Sequence, residues 1–404
     1  MWMHTEGGDN HRDSAFRRSR FDRQAVTAVG PCWNDRGGSF AMNARRMRPQ
    51  PLLLMVVGTL SIALLLPPAT ASGDVRARTV ASGLNNPRGI FLVSGRSYFV
   101  AEGGTGGSGP CQSGPFGPIC VGQTGAVTHV QNGILDRIVN LPSIASPDGS
   151  FAFGPHDVAI GDEGALFATV GLGGDPAYRA GFGPAGDNLA TLVRITRSGQ
   201  MRVVADLLAY EEAHNPAGGV LESDPYGILR RGDSSIVADA GANDLLKVTD
   251  RGRISTLAVF PDRMVDFQGG EVPMDAVPTT VVRGPDGAYY VGELTGFPFP
   301  VHGARVFRVV PGEKPTVWAR GFTNIIDIAF HDGKLYVLEI AHNSLATSST
   351  PFGALLRLNP DGSKTVLFKD LFFPTSLAFT SGGDALVTNC GVCPGGGEVV
   401  RIGL

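Results

Sequence analysis

Charge is scarce in this chain: Asp, Glu, Lys and Arg make up 18% of its 404 residues, where an average soluble domain carries about a quarter. What charge there is divides unevenly. Residues 1–71 hold nine arginines against five acids, so the remaining body is acidic, and an acidic body excludes nucleic acid as its partner. Cysteine is limited to five residues, too few for a disulfide-built scaffold. The longest apolar run, Leu52 to Leu66, is short of the roughly 20 residues that a helix needs to cross a bilayer. Two chemical signatures are missing as well. Gly103–Gly109 and Gly171–Gly174 are glycine-rich, but neither opens a helical pattern, so neither offers a helix N-terminus to a phosphate. Ser344 and Ser376 lack the flanking glycines of a nucleophile elbow, which leaves no visible hydrolase triad.

Glycine (56) and proline (28) are plentiful instead, as many short strands joined by many turns require. The stretch Val277–Glu293 is the pattern in its clearest form: a strand, the turn Pro285-Asp286-Gly287, and a second strand ending in a carboxylate. The pattern recurs five times, with second strands ending at Glu102, Thr169, Asp239, Glu339 and Asn389, spaced roughly 45–70 residues apart. Six such copies in an all-β chain predict a six-bladed β-propeller of four-stranded antiparallel blades. The sixth copy, Thr375–Phe379, Ala385–Asn389 and Glu398–Ile402, runs out before its fourth strand. Ala77–Leu84 lies before the first copy just as an outer strand should, so the N-terminal strand is expected to complete the last blade and leave no exposed sheet edge.

Arg45, Arg46 and Arg48, the apolar run and Ala69-Thr70-Ala71 together read as a secretory signal over residues 47–71, cleaved after Ala71. Residues 1–46, which include Cys32, are then disordered or precede the true start, and residues 72–404 form the propeller. The mature protein is expected to be secreted, monomeric and without a stable membrane span. An oxidising destination suits a bridge between Cys111 and Cys120, whereas Cys390 and Cys393 fit either a local bridge or two free thiols.

Turns between innermost and second strands, and between third and outer strands, are short. The other connections, including 103–124, 171–189, 207–224, 261–276, 295–303 and 340–352, are long and all emerge at one end of the blades. Side chains at that rim are the candidate site. Second-strand ends supply Glu102, Asp239, Glu293, Glu339 and Asn389. Innermost-strand starts supply Arg88, His156, Asp157 and Tyr226, and a long loop adds Phe297 and Phe299. Two readings fit the acids. They cap backbone amides and bond across blades, or they converge on a calcium ion with His156 as general base. Asp157 and Asp327 are also placed to tie neighbouring blades.

Ser82–Gly89, Gly154–Val158, Val170–Gly174, Gly292–Pro300 and Gly321–Asp327 resemble the ScyD/ScyE family, exported bacterial propellers named for gene clusters that make the pigment scytonemin. The resemblance covers Val75 to Leu404. It implies the fold and export rather than a reaction. Cys390 and Cys393 depart from it, because relatives tend to have His and Ser around the last Gly-Val. The leading expectation is therefore a secreted module that binds a small molecule, glycan or protein on its decorated face. The other is a calcium-dependent hydrolase of lactonase type at the channel, with a quinone-dependent sugar dehydrogenase as a remoter variant.

Overall fold

The computed structural model describes residues 76–404. The expected signal over 47–71, the segment 1–46 and Cys32 lie outside the described residues. What is described is a six-bladed β-propeller. The innermost strands are Pro87–Ser94, Pro155–Ile160, Pro225–Arg231, Pro278–Arg283, Ile325–His331 and Ser376–Phe379, and each touches the innermost strand before and after it, closing a ring. Blade 5 has the plain four-stranded form: Ile325–His331, Lys334–Glu339, Gly353–Leu358 and Lys364–Leu371, paired antiparallel in that order. Blade 6 is completed by Ala77–Leu84, with Thr79 opposite Val400 and Ala81 opposite Val399, so both ends of the described chain sit in one sheet.

The second strands show why the sequence folds this way. Leu335-Tyr336-Val337-Leu338 is an unbroken apolar run, because side chains alternate between the two faces of a strand and both faces here are covered. Leu335 and Val337 pack toward blade 4, while Tyr336 and Leu338 pack toward blade 6. The core is accordingly six slabs between blades rather than one central mass.

Several expected loops carry structure of their own. The segment after Glu102 includes the strand Cys111–Gly114 and the first part of a 15-residue strand, Gly117–Gln131, with Cys111 opposite Cys120 and bridged to it. Residues 261–276 contain the hairpin Arg263–Phe267/Gly270–Met274. Residues 207–224 contain the helix Leu207–His214, whose N-terminus Asp206 caps by accepting from Ala209 N at 2.9 Å.

Near the channel the blades are tied by two aspartates, as the sequence suggested. Asp327 of blade 5 accepts from Thr280 of blade 4 (2.7 Å), and from the Ser376 hydroxyl (2.6 Å) and Leu377 N (2.8 Å) of blade 6. Ser376 in turn accepts from Ile90 N of blade 1 at 3.2 Å, so one carboxylate organises four blades. Asp157 of blade 2 accepts from Ile228 N of blade 3 at 2.9 Å. Removing a buried acceptor strands its donors. Asp327→Ala is therefore expected to lower stability by about 2 kcal/mol or more, and Asp327→Asn by less. Guanidinium denaturation measures this, and an unchanged midpoint for the alanine variant would remove the tie from the account.

Candidate functional site

The acids at the second-strand ends do not gather at the channel. Each is buried and consumed inside the fold, mostly by the chain entering its own blade. Glu102 accepts from Asn85 N at 2.6 Å, from Thr128, and from Arg137 at 3.2 Å. Asp239 accepts from Asp224 N (2.7 Å), Ser223 (2.6 Å), Gly241 N and Ala242 N. Glu339 accepts from Thr323 N at 2.7 Å and pairs with His342. Asn389 accepts from Phe372 N at 2.9 Å and donates to Glu398. Glu293 is held by Arg263 (2.9 Å) and Arg305 (2.7 Å). A side chain at this position reaches back to the peptide leading into the innermost strand. Glu102, Asp239, Glu339 and Asn389 form this clip in blades 1, 3, 5 and 6, while Glu293 is taken by its two arginines, so the geometry follows the capping reading and not the convergent calcium ring. No three His, Cys, Asp or Glu side chains among the described residues are grouped to hold a metal.

The innermost-strand starts behave differently. Arg88, His156, Tyr226, Thr279 and Thr375 share the wall of a cavity of about 200 Å³ at the channel mouth. Asp157 does not line it, because its carboxylate is taken by Val158 N and Ile228 N. Phe297 and Phe299 do not line it either. Phe297 is 41% exposed and packs its ring 4.8 Å from Phe267 of the inserted hairpin, with Phe299 beside it, so these two form a separate aromatic patch. In their place the wall takes Phe151, Phe153 and Phe373, with Asp224 as its acid. Phe151 and Phe153 alternate in Ser150-Phe151-Ala152-Phe153, just before an innermost strand, and that spacing was the available sequence signal.

Arg88 is 9% exposed and donates to the carbonyls of Gly391 and Ala152 (3.0 Å), while forming no ion pair among the described residues. The Gly391 carbonyl sits in the turn that the Cys390–Cys393 bridge closes, so this bridge holds an acceptor for the guanidinium. Gly391 has to be glycine: a Cβ there would lie 2.4 Å from Thr375 and 2.7 Å from Arg88 Nη1. His156 is 2% exposed and stands against the Tyr226 ring at 4.4 Å. Its Nδ1 lies 3.4 Å from Asp224 and has no hydrogen-bond partner. Burial, and after it the charge of Arg88, hold the imidazole well below its ordinary range, so it is neutral near pH 7 and a weak base. Burial and then the Asp239 charge push Asp224 up to about 8. Burial likewise raises the Tyr226 hydroxyl, which stays protonated.

The cavity thus has one fixed positive group, one neutral imidazole with an unused ring nitrogen, an acid that is protonated near neutral pH, and aromatic walls. It can receive an anion with a flat apolar body.

No family model and no curated protein matches this chain. Solved structures do. A glucose dehydrogenase structure superposes with a TM-score of 0.50 at 14% identity, covering 81% of this chain and 99% of that one. A gluconolactonase from Xanthomonas campestris gives 0.47 at 11% identity, over 82% and 91% of the two chains. Virginiamycin B lyase from Staphylococcus aureus gives 0.45 at 11% identity, over 82% and 100%. At such identities the likeness is one of fold.

Asp224 supplies a pH test. The folded protein holds its proton more tightly than the unfolded chain, whose Asp titrates near 3.8, so this group's contribution to stability is lost as pH rises from about 4 to about 8. Asp157, raised to about 8 chiefly by burial, acts in the same window. Asp224→Asn keeps an acceptor for Leu172 N (3.1 Å) and should flatten part of that decline. Calorimetric melting at stepped pH reads the slope, and a slope identical to that of the unsubstituted protein would contradict the assignment.

Proposed function

We propose that this chain is an exported β-propeller of the ScyD/ScyE type that works as a binding module, taking a small organic anion with a flat apolar body into the cavity at the channel mouth. The observation that carries the proposal is Arg88: a buried guanidinium with no carboxylate partner among the described residues, facing an aromatic-walled cavity beside the unpartnered Nδ1 of His156. A buried cation is costly unless a negative group completes it, and a ligand carboxylate would do so with charge-assisted hydrogen bonds. The volume suits a single ring, since an apolar cavity of about 150 Å³ holds benzene. Export is supported by the arginine-flanked apolar run ending in Ala69-Thr70-Ala71 and by the cysteine bridges. A lactonase-type site would need free carboxylates around the channel, and Asp224 is the one acid in the cavity wall, which favours binding over hydrolysis.

Titration calorimetry with benzoate, 4-hydroxybenzoate and the neutral analogue benzamide tests the reading. The carboxylates should bind at least tenfold more tightly than benzamide. Arg88→Met should weaken benzoate about 30-fold, or ~2 kcal/mol, while Phe297→Ala, outside the cavity, should leave affinity unchanged. Equal affinity for benzoate and benzamide, or benzoate binding indifferent to Arg88→Met, would overturn it.

A further inference from the structure

The helix Leu207–His214 sits in the connection between blades 2 and 3. Leu207 belongs to the buried slab between blades 2 and 3 that also holds Leu192, Leu246 and Val248, and the Tyr210 hydroxyl lies 3.0 Å from Thr256 Oγ1 on the outer strand of blade 3. These contacts seat the helix at the seam between blades 2 and 3, tied to the outer strand of blade 3. An exposed loop helix would normally turn its glutamates to water, and Glu212 is exposed. Glu211 is not: it is 2% exposed. Asn215 follows four residues later, on the same face, and ends the helix in the left-handed region at φ 36°. Asp244, which opens the third strand of blade 3, is fully buried and within reach of the Glu211 charge.

Both carboxylate oxygens of Glu211, both of Asp244, and Oδ1 of Asn215 are buried without a hydrogen-bond partner. Asn215 directs its Nδ2 toward the Gly219 carbonyl, at 3.4 Å, which leaves Oδ1 for the inner side. Neither carboxylate forms an ion pair with Lys, Arg or His among the described residues. The acids elsewhere in the fold show the contrast: Asp239, equally buried, has four donors. Two buried carboxylates in one region without any donor or counter-charge are strongly unfavourable. A proton shared between the two would satisfy one oxygen on each and leave the other three oxygens bare. The charge of Asp239 reaches both, and Glu222 adds to the negative field at Glu211. The region is therefore a sink for a cation.

We infer that Glu211, Asn215 and Asp244 form a binding site for one divalent cation of the calcium type, which pins the loop helix to blade 3. The donor set is all oxygen, which selects a hard cation and disfavours zinc or copper. Five oxygens supply most of the roughly six to eight that calcium takes, and backbone carbonyls or water can complete the shell, whereas magnesium demands a smaller and stricter octahedron. Asp244 stands directly opposite the clipped Asp239 in the strand pair, but none of Glu211, Asn215 and Asp244 lines the Arg88 cavity, so the site does not depend on the ligand proposed there.

Elemental analysis of the purified protein, followed by melting and calorimetry after EDTA treatment, tests the assignment. About one calcium per chain is expected. Adding calcium to the stripped protein at 100-fold above its Kd should raise the Tm by about 4 °C, with magnesium doing less at the same concentration. Glu211→Gln and Asp244→Asn should each weaken calcium at least tenfold, and Asn215→Ala, at the helix end where folding is least exposed to risk, about threefold or more. Arg88→Met should bind calcium as tightly as the unsubstituted protein. A Tm indifferent to both EDTA and calcium would overturn the site. So would calcium affinity that survives these three substitutions, since the ion would then lie elsewhere.

Discussion

A ring of strands has no end, and everything else in this structure depends on how that ring is closed. Six innermost strands press around a narrow channel so closely that a Cβ on Gly89 would fall 2.0 Å from Asp157 Oδ1. At such spacing the polar groups of one blade become the hydrogen-bond partners of the next. Asp157, Asp327, Thr279 and Thr375 all bond into a neighbouring blade. The last gap, between blades 6 and 1, is closed covalently by the chain itself, because Ala77–Leu84 belongs to blade 6 and leads directly into blade 1. Hydrophobic slabs between blades supply the bulk of the stabilisation, and the aspartate ties set which blades meet.

This arrangement divides the polar residues into two sets with opposite fates. Residues that finish a second strand are used up inside the fold, four of them by their own blade's entry peptide and Glu293 by two arginines. Residues that begin an innermost strand look across the channel mouth, where some remain free. Arg88 and His156 belong to the second set, and that is why the cavity keeps a guanidinium without a carboxylate partner and a ring nitrogen without a hydrogen bond while Glu102, Asp239, Glu293 and Glu339 are all engaged. The cavity wall is then finished by loops, including the turn closed by Cys390 and Cys393.

The architecture was legible from the chain because its signals are local and repeated: apolar runs of strand length, turns such as Pro285-Asp286-Gly287, and a final copy one strand short. Arg88, His156 and Tyr226 could be placed at the mouth by counting from those turns. Which way a strand-end acid faces could not, since its partners, Asn85 N or Thr323 N, are brought near only by the completed blade. Phe151 and Phe153 offered only their alternation and Phe373 only its place before Pro374, and aromatics so placed look the same whether they pack a blade or face a ligand. The helix Leu207–His214 carried a readable signal, Asp206 before a run of good helix formers with Asn215-Pro216 after it, but its eight residues are short against a background of strands.

The central claim is that the mouth of the channel, and no acidic ring around it, is where this propeller meets its ligand. A crystal structure of the protein with 4-iodobenzoate tests that most directly, since the iodine's anomalous signal and the carboxylate density report position and orientation together. The account predicts the carboxylate on Arg88 beside His156, with the iodine among Phe151, Phe153 and Phe373. Full occupancy of the compound anywhere else, with the Arg88 cavity left to water, would contradict it.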